Sequence, residues 1–134
     1  MEVRFDHVGI AVRSLKEAIP IWESRLGTRA SEPEEVASQK VRVCFLGSGE
    51  AQVELLESLD ASSAIGRFIE KRGEGLHHVA FRVPALATHL QELSAAGIQL
   101  IDTIPRVGSR GHLVAFVHPS STLGVLTEYL EQSL

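Results

Sequence analysis

The chain repeats itself. Phe5-Asp6-His7-Val8-Gly9-Ile10-Ala11-Val12 and Leu76-His77-His78-Val79-Ala80-Phe81-Arg82-Val83 share one pattern, 71 residues apart. In both, a His precedes alternating apolar residues, the period-two signature of a strand with one buried face. The segments after the two strands also match. Leu15, Ala18, Ile19, Trp22 and Leu26 recur at helical spacing and are closed by Gly27. Leu86, Leu90, Leu93 and Ala96 do the same before Gly97. Ser14 suits an N-cap, and Glu17, three residues on, suits the far end of a capping box. Short strands are then predicted over 41–46 and 51–57 in the first copy, and over 99–103, 113–118 and 124–130 in the second. Between the copies, Ile65, Phe68 and Ile69 predict a helix over 62–72, ended by Gly73-Glu74-Gly75.

The predicted class is therefore α+β, with two βαβββ modules joined by a helix. The first module covers residues 1–60, the linker helix 61–74 and the second module 75–134, together one domain. A chain of 134 residues can bury roughly two-thirds of its unfolded surface. Half of it is poorly placed to do so alone, so the two sheets are expected to join in one curved sheet around a cleft.

The repeat also carries chemistry. His7 and His78 are opposite in strand phase to Val8, Ile10 and Val12 and to Val79, Phe81 and Val83, which are expected to face the helices. Each His then points to the other face. Glu54, between Val53 and Leu55, corresponds to Glu128, between Thr127 and Tyr129, and both can point the same way. Two imidazoles and two carboxylates are thereby predicted to converge. Packing offers no reason for that, and burying carboxylates without compensation is expensive. A divalent cation removes the cost. Nitrogen and oxygen donors suit Zn, Ni, Co, Mn or Fe(II), and the lack of Cys ligands argues against a closed structural zinc site. Four protein ligands in an octahedral set leave two positions for a chelating substrate. The other histidines fit less well. His77 has the wrong phase, His89 is expected on a helix surface, His112 borders a glycine-rich loop, and His118 precedes Pro119 at a strand end. Of these, His118 is the best placed to line a site.

Composition narrows the partners. Net charge is −4 without a basic block, which argues against nucleic acid. No apolar run approaches the roughly 20 residues of a membrane span. The stretch from Met1 to Asp6 leads straight into strand-like sequence rather than a signal peptide, so a cytoplasmic location is expected. Cys44 stands alone in an apolar strand and is expected to be a buried, inert thiol.

Three stretches resemble the vicinal oxygen chelate superfamily, which includes glyoxalase I, extradiol dioxygenases and methylmalonyl-CoA epimerase. They are residues 5–12, residues 64–81 and residues 116–128, and together the likeness spans nearly the whole chain. The middle stretch, a helix followed by Gly73-Glu74-Gly75-Leu76-His77-His78, is similar to the epimerase branch in particular. The resemblance implies the glyoxalase-like fold, a homodimer, and a divalent ion such as Co or Mn held by His7, His78, Glu128 and the position occupied by Glu54. It implies an acyl-CoA substrate, epimerised by moving a proton at the carbon next to the thioester. Glu128 is the candidate for one proton carrier. Some epimerases supply the other from a Glu at the position held here by Val43, so Glu54, or a water it holds, is the candidate substitute. Ser120 and Leu123 also depart from the family pattern, where Lys and Gly are common.

Two other functions use the same scaffold. His7, His78 and one carboxylate would make an Fe(II) dioxygenase triad if Glu54 were unbound, and the four-ligand set also suits a glyoxalase-type lyase or isomerase. A small-molecule-binding resistance protein would instead show an apolar pocket in place of the two carboxylates.

Overall fold

The computed structural model describes residues 2–132. Met1, the first residue of the stretch expected to lead into a strand, lies outside the described residues, as do Ser133 and Leu134 at the end of the second module. The first copy of the repeat forms β1 (Arg4–Val12), α1 (Leu15–Leu26), β2 (Glu34–Val36), β3 (Val41–Ser48) and β4 (Ala51–Ser58). After the connecting helix α2 (Ala64–Arg72), the second forms β5 (Gly75–Val83), α3 (Leu86–Ala95), β6 (Arg106–Val107), β7 (Leu113–Val117) and β8 (Thr127–Glu131). The hydrogen-bonded strand order is β2-β3-β4-β1-β5-β8-β7-β6. Contacts divide the chain into a unit of His7–His77 and a unit of Met1–Asp6 with His78–Leu134.

In the unit His7–His77, β1 and β4 are parallel, with Gly9 beside Glu54 and Ala11 beside Leu56. β4 and β3 are antiparallel, with Phe45 opposite Glu54 and Val43 opposite Leu56. The short β2 completes the set, with Glu34 opposite Val43. Alternation then divides the side chains. Ile10, Val12, Cys44, Leu46 and Leu55 pack against Leu15 and Ala18 of α1. Ala11, Val36, Val41, Val43, Phe45 and Leu56 pack with Ile65 of α2. Fully burying each of the larger aliphatic side chains contributes about 1.5–3 kcal/mol. Ser14 caps α1 as the sequence suggests, its Oγ accepting from Glu17 N at 3.2 Å, and Ser63 caps α2, its Oγ accepting from Gly66 N at 2.9 Å. Gly27 ends α1 in the left-handed conformation, φ 65°.

The unit holding His78–Leu134 repeats this plan. β5 and β8 are parallel, with Ala80 beside Glu128, and β8 and β7 antiparallel, with Phe116 opposite Glu128 and Val114 opposite Leu130. Arg106 of β6 stands opposite Val114, as Glu34 stands opposite Val43 in the other unit. One further contact is common to both. Glu57 Oε1 accepts the Leu15 N–H at 2.9 Å, and Glu131 Oε1 accepts the Leu86 N–H at 3.2 Å. In each copy the last strand supplies an acceptor for the first free amide of the helix that comes after the first strand.

Three expectations need correcting. Residues 99–103 do not form a strand; a single bridge, Leu100 to Val117, is all that remains of it. The Asp102 carboxylate accepts the Phe116 N–H at 2.9 Å, replacing the backbone carbonyl that a strand would offer, and the pairing is taken up by β6. The strand expected over 124–130 begins only at Thr127, because Leu123 and Gly124 have φ of 58° and 104° and turn the chain. His89 is not on a helix surface. It is 8% exposed, and its ring lies 4.5 Å from that of Tyr129.

Burial pushes the His89 pKa below its ordinary value, with a smaller opposing effect from Glu92. Its neutral form is therefore favoured by folding, and stability falls as pH drops below the unfolded value of about 6.5, until the folded group also titrates. His89→Leu is expected to raise the thermal midpoint more at pH 5 than at pH 8. Denaturation scans of both proteins at the two pH values would check this; an equal shift at both would contradict it.

Candidate functional site

His7 leaves the face of β1 that packs on α1, since Ile10 and Val12 occupy that face and the strand alternates. Parallel pairing puts Glu54 of β4 on the same face as His7. The His7 Nε2 atom lies 3.2 Å from Glu54 Oε1. The Phe45 ring, opposite Glu54, meets the His7 ring edge-on, with centroids 5.4 Å apart and an interplanar angle of 89°.

The second copy builds the same triplet. His78 Nε2 lies 3.2 Å from Glu128 Oε1, and Phe116, opposite Glu128, meets the His78 ring at 5.6 Å and 84°. Here the aromatic wall has support of its own. The Arg106 guanidinium lies over the Phe116 ring, 5.7 Å from its centroid, and its Nε is 3.5 Å from Asp102 Oδ1. The near-perpendicular packing of each imidazole against a phenyl ring leaves it little freedom to rotate, so Nε2 stays directed at its carboxylate.

All four predicted ligands are buried: His7 is 2%, Glu54 4%, His78 3% and Glu128 5% exposed. One donor atom from each lies within 4.8 Å of the others, a cluster of the kind that holds a divalent metal. The donor set fits such an ion. Two imidazole nitrogens and two carboxylate oxygens match the preferences of Co, Mn, Ni or Zn, and the two buried negative charges are what a dication compensates.

Other predicted positions fall outside this cluster. His118 caps the 3₁₀ turn Pro119–Thr122, its Nδ1 accepting from Ser120 N at 3.0 Å. His77 is half-buried against Phe68, with ring centroids 5.0 Å apart. Val43 is fully buried among Ala11, Val36, Val41 and Leu56 and offers no proton. Leu123 sits at a left-handed φ of 58°, which explains why a glycine suits that position. Phe45, Phe116, Asp102 and Arg106 were not anticipated. The two phenylalanines carry a signal, for they too are 71 residues apart.

Comparison with known proteins identifies the family of the chain. Residues 6–116 match the profile of the Glyoxalase/Bleomycin resistance protein/Dioxygenase superfamily. The uncharacterized protein YqjC of Bacillus subtilis is 46% identical over 128 residues, covering 96% of this chain and 91% of its own. An ethylmalonyl-CoA/methylmalonyl-CoA epimerase of Cereibacter sphaeroides is 33% identical over 131 residues, covering 96% of this chain and 97% of its own. A crystal structure of methylmalonyl-CoA epimerase from Mycobacterium tuberculosis superposes with a TM-score of 0.91 at 34% identity, covering 98% of this chain and 89% of that one. The chain thus has the glyoxalase-like vicinal oxygen chelate fold that the resemblance implies.

Cys44 lies on the opposite face of β3 from Val43 and Phe45, packed with Ile10 and Leu55. Burial, with the negative charges of Glu54 and Glu23, pushes its thiol up to about 11. Native protein at pH 8 is expected to resist iodoacetamide, and protein unfolded in guanidinium to be alkylated; mass spectrometry of both samples reads the difference. Rapid labelling of the native form would contradict the burial.

Proposed function

We propose that this chain, which belongs to the glyoxalase/bleomycin resistance protein/dioxygenase superfamily, epimerises methylmalonyl-CoA with the help of a divalent metal. The observation that carries the reading is the buried cluster of His7, Glu54, His78 and Glu128, found in a chain about one-third identical to proteins named as methylmalonyl-CoA epimerases. The equal spacing of the two His–Glu pairs, 3.2 Å in each, favours four protein donors over the three of an oxygenase triad. The two buried carboxylates also speak against an apolar small-molecule pocket. Action as a cytoplasmic homodimer belongs to the same proposal.

In this reading His7 and His78 present Nε2, and Glu54 and Glu128 one carboxylate oxygen each, to the metal. A divalent ion bound there supplies Lewis-acid stabilisation of the negative charge that develops on the thioester oxygen when the neighbouring carbon loses its proton. The protein's own task is to take that proton from one side and return one to the other. Glu128 is the candidate carrier on one side, and Glu54, or a water it holds, on the other. Burial lets the carboxylates act without competition from bulk water, and Phe45 and Phe116 hold the imidazoles in place.

The metal requirement is testable without turnover. Titration of wild-type protein with Co or Mn is expected to give one ion per chain, and His7→Ala to weaken binding by at least about 100-fold. Function is tested by incubating the metal-loaded protein with methylmalonyl-CoA in D₂O and following the α-carbon by NMR. Deuterium entry with inversion is expected, falling by about 100-fold or more in Glu128→Ala. Absence of exchange in fully metal-loaded wild type would overturn the substrate assignment.

A further inference from the structure

Ser31 and Asp102 are 71 residues apart and make the same two contacts in their own copies of the repeat. Ser31 Oγ accepts the Phe45 N–H at 2.9 Å, while the Phe45 carbonyl accepts the Ser31 N–H at 2.8 Å. Asp102 Oδ2 accepts the Phe116 N–H at 2.9 Å, while the Phe116 carbonyl accepts the Asp102 N–H at 3.1 Å. Each pair ties the backbone of the phenylalanine that stands against a candidate ligand, His7 in one unit and His78 in the other. A carboxylate in place of a hydroxyl adds one oxygen, and that oxygen is used. Asp102 Oδ1 lies 3.5 Å from Arg106 Nε. The Arg106 guanidinium lies over the Phe116 ring, 5.7 Å from its centroid, within the roughly 6 Å over which a cation and a ring face attract.

One carboxylate therefore holds both parts of Phe116, its backbone directly and its ring through Arg106. The Arg106 and Asp102 side chains are 35% and 18% exposed, so salt screens their attraction less than that of a fully exposed pair. Ser31 cannot copy this arrangement, because a hydroxyl that accepts the Phe45 amide has no second oxygen for a guanidinium. The strand position that matches Arg106 opposite Val114 is Glu34 opposite Val43, and a carboxylate cannot do a cation's work over a phenyl face. The two phenylalanines are equivalent, but the second copy alone ties the ring in this way.

We propose that Asp102 and Arg106 are positioning residues for His78, acting through Phe116 to set the angle at which its imidazole meets a divalent ion. This rests on the reading of the donor cluster as a metal site and is independent of the substrate. The His78 and Phe116 rings meet at 84° with centroids 5.6 Å apart, so a tilt of the phenyl ring moves the surface on which the imidazole rests. Pinning that ring keeps Nε2 aimed before the ion arrives. A donor aimed in advance loses less freedom on binding and holds the ion more tightly. Neither residue touches the ion in this arrangement; each works at a distance, through one aromatic side chain.

Asp102→Ser combined with Arg106→Met tests this. The double change leaves the net charge as it is, so a simple shift in attraction for the ion does not enter. It gives Phe116 the hydroxyl acceptor that Ser31 gives Phe45, and it keeps an unbranched side chain at position 106. Metal-free wild type and variant are titrated with Co, and the visible absorption of the bound ion is recorded, since its position and intensity follow the ligand angles. The thermal midpoint of each metal-free protein is measured beside it. The variant is expected to bind Co about 10-fold more weakly, with a shifted spectrum and a midpoint close to that of wild type. Arg106→Met alone is expected to shift the spectrum in the same direction, and it decides the matter if the double variant does not fold. Arg106→Lys, which keeps the cation, is expected to return the spectrum part of the way. Unchanged affinity and spectrum would overturn the proposal and leave the metal site intact. A lower midpoint with an unchanged spectrum would also overturn it, assigning the pair to stability alone. Wild type that takes up no Co would overturn the metal site and the proposal together.

Discussion

The buried His–carboxylate pair is the constraint on which the architecture depends. A glutamate as deeply buried as Glu54 or Glu128 is costly unless a positive partner or a set of donors meets it. Each meets an imidazole nitrogen at 3.2 Å, and each imidazole is walled by a phenyl ring from the strand beyond. That triplet requires three adjacent strands in fixed register: a parallel pair for His and Glu, and an antiparallel neighbour for Phe. A βαβββ module is an economical way to supply them. The helix returns the chain so that the last strand can lie parallel to the first, and the tight turn between the third and fourth strands brings Phe45 opposite Glu54.

Two copies of such a module answer a chemical need as well as a structural one. One triplet offers a single nitrogen and a single carboxylate, too few to hold a metal firmly. Two triplets offer a donor set with the charge and hardness that a divalent ion favours. The copies differ outside the triplets, for instance at Ala11 and Arg82 on the first strand of each and at the outer strands, where Glu34 faces Val43 and Arg106 faces Val114.

Much of this architecture is legible in the residues. The candidate ligand set is readable because strand alternation and the repeat point the same way at His7, His78, Glu54 and Glu128. The helices are readable from apolar spacing and from their serine and glycine ends. Features set by tertiary contact are not. Asp102 looks like part of a strand until its carboxylate is seen taking the Phe116 amide. His89 looks like a surface residue until Tyr129 covers it. β2 and β6 are three and two residues long, too short to impose a period, so nothing in the local pattern marks them.

The paired carboxylates Glu57 and Glu131 have a consequence for how the ligands are aligned. Sliding a strand by one residue turns every side chain to the opposite face, which would carry His7 away from Glu54. Backbone ladders alone discriminate weakly between neighbouring registers, because every peptide offers the same donor and acceptor. A glutamate near the end of β4 that receives the Leu15 amide just past the end of β1 is different, since it can be satisfied in only one alignment. Glu131 does the same for β8 and β5 through Leu86. These two side chains act as index marks. They lie away from the donor cluster, yet they select the single alignment in which the donors share a face.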